Sequence, residues 1–202
     1  MRGRGPAIVF DFDGTLIDTR EIKTRNYIEA FEAVYATGPE LRPAVRESCL
    51  RTSGANRFLQ LEDTMAAVGI ESTEEQRSDF SRRYSALNAK ALSTIGEFPS
   101  VRDVLAKLAR AAYALFAASG ILDEEFRVEL LRRGLMDSFV AARGGDKQRF
   151  LESLRSAGYG PIFFVGDTSY DRAAAEAAGV TFHLVEADAD LIRLAEQLTR
   201  GR

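Results

Sequence analysis

The chain has 202 residues, 46% of them apolar and 28% charged, and its net charge is −3. That suits one core domain with a modest insertion and enough apolar matter for a real core, and it gives no general basic surface for nucleic acid, so any anion site must be local. Cys49 is the sole cysteine, which excludes an intrachain disulfide and points to a reducing, cytoplasmic setting.

Cys49 itself reads as a small, semi-buried apolar residue. No apolar run approaches the ~20 residues of a membrane span. The opening Met-Arg-Gly-Arg-Gly-Pro is cationic but has no adequate apolar region before Asp11, so a signal peptide is not expected.

Residues 7–13 predict the first strand. Ala7 to Phe10 is an apolar run of the kind buried in a parallel sheet. It ends on Asp11 and Asp13, which flank Phe12, before Gly14 breaks the strand. With the strand continued to Asp13, alternation puts both acids on one face and Phe12 on the other. Unpaired buried charge is costly, so the acids need a cation. The pair is placed for metal binding and acid–base work.

From about Asp18 to Ala91 the pattern is helical. Ile22, Tyr27, Phe31 and Val34 lie near helical spacing, up to Gly38-Pro39. A second helix is expected over Leu41–Leu50, and Arg51-Thr-Ser-Gly54 breaks it. Phe58, Leu61, Met65 and Val68 step by three and four to Gly69. Thr73 is a candidate N-cap for a helix through Phe80, Tyr84 and Leu87.

After Phe98-Pro99 strands and helices alternate. Ser100 is expected to cap a helix holding Val101, Val104, Leu105 and Leu108. Tyr113–Ala117 predicts a strand ending at Ser119-Gly120, and Asp123 opens a helix to Arg133. Phe139-Val-Ala reads as a short strand, and Asp146 caps a helix to about Ala157. Residues 161–165 form a strand ending at Gly166-Asp167, then 172–178 a helix, 180–185 a strand and 188–199 a final helix. Such alternation implies an α/β fold, a doubly wound parallel sheet covered on both faces. The core is expected over 1–17 and 92–202. The block 18–91 is too long for a crossover and reads as an inserted helical cap. Ligands of open parallel sheets bind beyond the carboxyl ends of the strands. Asp11, Ser119 and Asp167 each end an inferred strand.

Asp11-Phe-Asp13-Gly-Thr15-Leu resembles the first motif of the haloacid dehalogenase superfamily of phosphohydrolases, and Val165-Gly-Asp167-Thr-Ser-Tyr-Asp171 repeats the match. The resemblance covers the core parts, well over half of the chain, and is to the phosphoglycolate phosphatase-like branch, whose members carry a helical cap at this point. It implies a sheet ordered 3-2-1-4-5, in which Asp11, Asp13 and Asp167 converge. It further implies a Mg²⁺ ion, a hard cation that prefers oxygen, held by the carboxylates of Asp11 and Asp167 and the backbone carbonyl of Asp13. Asp171 and Thr15 are expected to support these ligands. Ser119 resembles the second-motif Ser/Thr, whose hydroxyl and following amide, here that of Gly120, bind phosphate; many relatives have Asn at that position. Lys147 resembles the third-motif lysine, although Gln148 follows it where many relatives have Pro. A cation in the first turn of a helix is poorly placed, which favours a functional reason for Lys147. No Cys or His cluster offers a zinc site, and His183, alone on a strand, reads as structural.

The resemblance implies Mg²⁺-dependent hydrolysis of small phosphate monoesters. Asp11 would attack phosphorus to give an aspartyl-phosphate. Asp13 would protonate the leaving oxygen and then activate water. Mg²⁺, Lys147 and Ser119 would stabilise the transferred group. An acid at Asp13 argues against a dehalogenase, because halide leaves without a proton. Arg51-Thr-Ser-Gly-Ala-Asn-Arg57 lies where similar caps place a specificity loop. Arg51 or Arg57 is expected to contact an anionic or hydroxylated leaving group; a plain solvated loop is the equal alternative. The expected partner is a small phosphorylated metabolite, with no nucleic acid and no membrane, and nothing demands more than a monomer. Two other readings stay open: a phosphomutase on the same scaffold, and a catalytically silent binding protein, which would be expected to have lost one of the site residues.

Overall fold

The apolar runs of the core do become parallel strands. A computed structural model describes residues 4–200. β1 (Gly5–Asp11), β2 (Ala114–Ser119), β3 (Ala141–Gly144), β4 (Tyr159–Gly166) and β5 (Thr181–Leu184) form one sheet in the order β3-β2-β1-β4-β5, the order the resemblance implied. β1 lies between β2 and β4, with Phe10 paired to Ala117 on one side and to Val165 on the other. Both neighbours are parallel, so the ends of β1, β2 and β4 come out together.

The contacts divide the chain into two units. One takes the chain up to Asp18 and again from Glu97; the other is Thr19–Gly96. In the first unit, helices cover the sheet. α5 (Val101–Arg110) packs with α9 (Asp188–Thr199), and α7 (Lys147–Ser156) packs with α8 (Ser169–Ala178). Ala7 and Val9 of β1 join Phe116, Phe164, Leu151 and Ala175 in one core cluster, while Ile8 and Phe10 are also fully buried. Each such large side chain contributes about 1.5–3 kcal/mol by leaving water. α6 (Asp123–Arg132) lies against β3.

The second unit holds α1 (Arg20–Tyr35), α2 (Arg42–Arg51), α3 (Arg57–Val68) and α4 (Glu74–Leu92). Tyr27 is its centre, with Phe80 and Tyr84 edge-on at 5.1 and 5.5 Å and its hydroxyl 2.9 Å from that of Thr64. Thr73 caps α4 in a reciprocal box with Gln76, and Gly69 ends α3 in the left-handed conformation. Cys49 is buried here, and burial pushes its thiol up to about 12. Among the described residues no helix is long and apolar enough to cross a membrane.

Several expectations need correcting. β1 stops at Asp11, so Asp13 lies beyond the strand, in a tight turn where Leu16 N and Ile17 N both donate to Phe12 O. The expected cap boundary at 91 falls inside α4. Ser100 does not cap α5 with its side chain; its hydroxyl donates to Asp188 at 2.6 Å instead. The strand expected at Phe139-Val-Ala begins only at Ala141, because a short turn over Met136–Ser138 precedes it.

Candidate active site

Three strand ends supply the acids and the hydroxyl. Asp11 closes β1, Ser119 closes β2, and Asp167 follows Gly166 at the end of β4. Asp11 and Ser119 are buried. Carboxylate oxygens of Asp11, Asp167 and Asp171 all lie within 4.8 Å of one another. Ser119 Oγ donates to Asp13 Oδ2 at 3.3 Å and accepts from Ile121 N at 3.3 Å. The sequence-predicted residues Asp11, Asp13, Ser119, Lys147, Asp167 and Asp171 therefore share one end of the sheet.

Lys147 is no surface lysine. It is the first residue of α7, which Asp146 caps by accepting from Arg149 N at 3.0 Å. Its ammonium is buried, 2.7 Å from Asp11 Oδ1 and 2.7 Å from Asp171 Oδ1. Burial alone would pull this amine down, but the two carboxylates beside it outweigh burial and hold the ammonium above its ordinary range. For Asp11 burial dominates and pushes its carboxyl well above the usual range. Lys147 opposes that shift, while Asp171, Asp167 and Asp13 add to it.

Asp171 is fully buried and already committed. Its Oδ1 accepts from Lys147, and its Oδ2 accepts from Thr168 N and Thr168 Oγ1 at 3.1 and 2.6 Å. Its own amide donates back to Thr168 Oγ1, which closes a capping box at the start of α8. This carboxylate holds Lys147 in place. Thr168 went unnoticed in the sequence, although Thr-x-x-Asp before an alanine-rich helix is a capping-box signature. Thr15 is fully buried, and its hydroxyl has no hydrogen-bond partner.

Two glycines let the loops close up. Gly14 has φ +80°, and a Cβ there would come within 2.1 Å of Asp167 Oδ2. Only a bare backbone lets the first turn approach that carboxylate. Gly144 meets the loop after β2 in the same way, since its Cβ would lie 2.5 Å from Ile121 O. Asp123, read from sequence as a helix opener, accepts from Gly144 N at 2.8 Å, and Gly145 N donates to Ser119 O at 2.8 Å. These bonds tie the Ser119 loop to the loop carrying Lys147. Gly120 follows Ser119 in that first loop.

The donor set suits a hard divalent cation. It consists of oxygens, and of the charges acting on Asp11 three are carboxylates and one is an ammonium. A cation beside Asp11 and Asp167 would offset that excess.

The two cap arginines do not behave alike. Arg57 is buried at the start of α3, and its guanidinium bonds Ser81 O, Ser81 Oγ and Ser85 Oγ of α4 and lies 5.6 Å over the Tyr84 ring. The expectation that it waits in a loop for substrate is thus wrong: it ties two helices of its own unit together. Arg51 ends α2, half exposed, and pairs with Asp63 at 2.5 Å. His183 sits on β5, half-buried, 5.6 Å from the ring of Phe163, and burial lowers its pKa.

Residues 8–185 match the haloacid dehalogenase-like hydrolases. The chain belongs to that family. Solved structures agree on the fold. A hydrolase from Pseudomonas syringae is 19% identical, with a TM-score of 0.75 over 93% of this chain and 89% of that one. A predicted phosphatase from Clostridium acetobutylicum is 17% identical, with a TM-score of 0.71 over 96% of each. A predicted phosphoglycolate phosphatase from Haemophilus somnus is 21% identical, with a TM-score of 0.67 over 90% of this chain and 85% of that one. The search of curated proteins finds no match. The acid-rich end of the sheet is thus the candidate active site of a haloacid dehalogenase-like hydrolase.

Proposed function

We propose that this hydrolase is a Mg²⁺-dependent phosphatase that cleaves small phosphate monoesters through a phosphate ester of Asp11. The observation that carries the reading is the Asp11–Lys147–Asp171 triad, held beside the Asp13–Ser119 bond at one end of the sheet. Asp11 attacks phosphorus, and its Oδ–P bond forms as the ester P–O bond breaks. Asp13 gives its proton to the leaving oxygen, then takes one from the water that hydrolyses the acyl phosphate. A carboxylate meeting a phosphate dianion is repelled by ~4 kcal/mol per charge pair at ~4 Å and an effective dielectric of ~20. The Lys147 ammonium offsets part of this. Ser119 Oγ and the amide of Gly120 offer hydrogen bonds to the phosphoryl oxygens. The carboxylates of Asp11 and Asp167, with the carbonyl of Asp13, would hold Mg²⁺, which would supply further positive charge at the phosphoryl group.

A panel of phosphate monoesters, assayed with Mg²⁺ and with chelator beside Asp11→Asn, tests this. Metal-dependent phosphate release that vanishes in the variant is the expected result. Full activity in Asp11→Asn, or release that chelator leaves unchanged, would overturn it.

A further inference from the structure

β3 is the edge of the sheet, and its last residues lead straight to Lys147. Gly145 N donates to Ser119 O at 2.8 Å and so extends the pairing with β2. Backbone groups of a strand alternate from side to side, so the amide of Gly144, one residue earlier, faces away from β2 to the open edge. No strand lies there to take it. Asp123 Oδ1 takes it instead, at 2.8 Å and from 21 residues back in sequence. Water would satisfy an edge amide without fixing it; a carboxylate anchored on α6 holds it in place.

This carboxylate is not spent on its own helix. Leu122 is the N-cap of α6, with no side-chain cap, and Glu124 and Glu125 also make the first turn acidic. The approach is close, since a Cβ on Gly144 would lie 2.6 Å from both N and Cα of Asp123. So tight a contact suits the short arm of Asp and not the longer arm of Glu.

Both loops that Asp123 joins carry site residues. On its own loop, Ile121 N donates to Ser119 Oγ at 3.3 Å. On the other, Lys147 follows Gly144, Gly145 at φ +98° and Asp146, and its ammonium lies 2.7 Å from Asp11 and from Asp171. Two glycines leave the backbone free, and in β3 only Ala142 is buried, so packing does little to fix this loop. We propose that Asp123 is a positioning residue: its bond to Gly144 clamps the outer side of the loop and sets Lys147 against Asp11.

Kinetics of Asp123 variants, on an ester that the enzyme accepts, separate this role from support of the helix; this arm rests on the phosphatase reading above. Asn keeps the accepting oxygen and loses the charge, whereas Glu keeps the charge that favours a helix start and loses the fit. Asp123→Asn should keep kcat within about threefold, and Asp123→Glu should lose about ten- to hundredfold. An acid acting only on the helix would give the opposite order. Melts with chelator need no turnover. Lys147→Met should lower the Tm of Asp123→Glu by less than about half of what it takes from wild type, because the ammonium it removes is already displaced. A kcat for Asp123→Glu equal to or above that of Asp123→Asn, or Tm losses that simply add, would overturn the proposal. If wild type hydrolyses no ester, the phosphatase reading alone falls, and the melts still decide the role of Asp123.

Discussion

Replacing Lys147 with Met removes the ammonium that lies 2.7 Å from both Asp11 and Asp171. The methionine keeps most of the stem's packing, so the change is chiefly one of charge. Two buried carboxylates lose their counter-charge, and breaking a buried pair by deleting one partner costs about 3–5 kcal/mol. For a chain of this length that is a fall in Tm of about 6–20 °C. The loss depends on pH, and the sign can be worked out. Burial already pushes the Asp11 carboxyl well above its ordinary range, and Lys147 is what opposes it. Without Lys147 the folded state holds the Asp11 proton more tightly still. Stability then falls as pH rises from the unfolded-chain value of about 3.9 through the raised folded value. Lys147→Met should therefore be markedly weaker than wild type at pH 8 and closer to it at pH 5, where protonation relieves part of the repulsion. Thermal melts of both proteins with chelator, at the two pH values, make the measurement. A gap under about 1 kcal/mol at pH 8, or the same gap at both pH values, would refute the electrostatic account of the triad.

Gly14→Ala should abolish most activity and destabilise the fold by about 1–3 kcal/mol, because φ is +80° and the new Cβ would meet Asp167 Oδ2 at 2.1 Å; a steady-state assay and a melt read both effects. Arg57→Met should lower stability by about 1–3 kcal/mol by stranding its partners on α4, while kcat/KM on any accepted ester stays within about twofold. The Ser48 hydroxyl, then Arg51, holds the Asp63 carboxyl below its usual range against the opposing pull of burial. Its contribution to stability is therefore present above about pH 3.9 and lost as pH falls through the lowered folded value. Asp63→Asn should melt lower than wild type at pH 7 and converge with it in acid; a gap that stays constant with pH would contradict this.

How much was legible in the sequence followed local signal strength. β1 and β4 stand out because strands buried on both faces are apolar throughout, and their ends place Asp11 and Asp167 without further help. β3 was misplaced because it is the sheet edge: in Ala-Ala-Arg-Gly only Ala142 is buried, whereas Phe139 just before it is buried and carries the apolar signal. Thr73 and Asp146 were readable as caps, since capping is a matter of three residues. Arg57 was not readable, because its partners Ser81 and Ser85 lie on another helix. Asp123 does open α6 as its local sequence implies, but nothing local shows that its carboxylate also reaches the amide of Gly144. Asp171 was visible one turn beyond Asp167, but its pairing with Lys147 comes only from the fold.

The central claim is that Asp11 becomes covalently phosphorylated. The most direct test is a rapid-quench single turnover with a labelled monoester that the enzyme accepts, followed by acid quench and peptide mapping. The account predicts transient label on the peptide containing Ile8–Thr15, at Asp11, rising before free phosphate and absent in Asp11→Asn. Phosphate released at the full rate with no label on the protein at any time would contradict it.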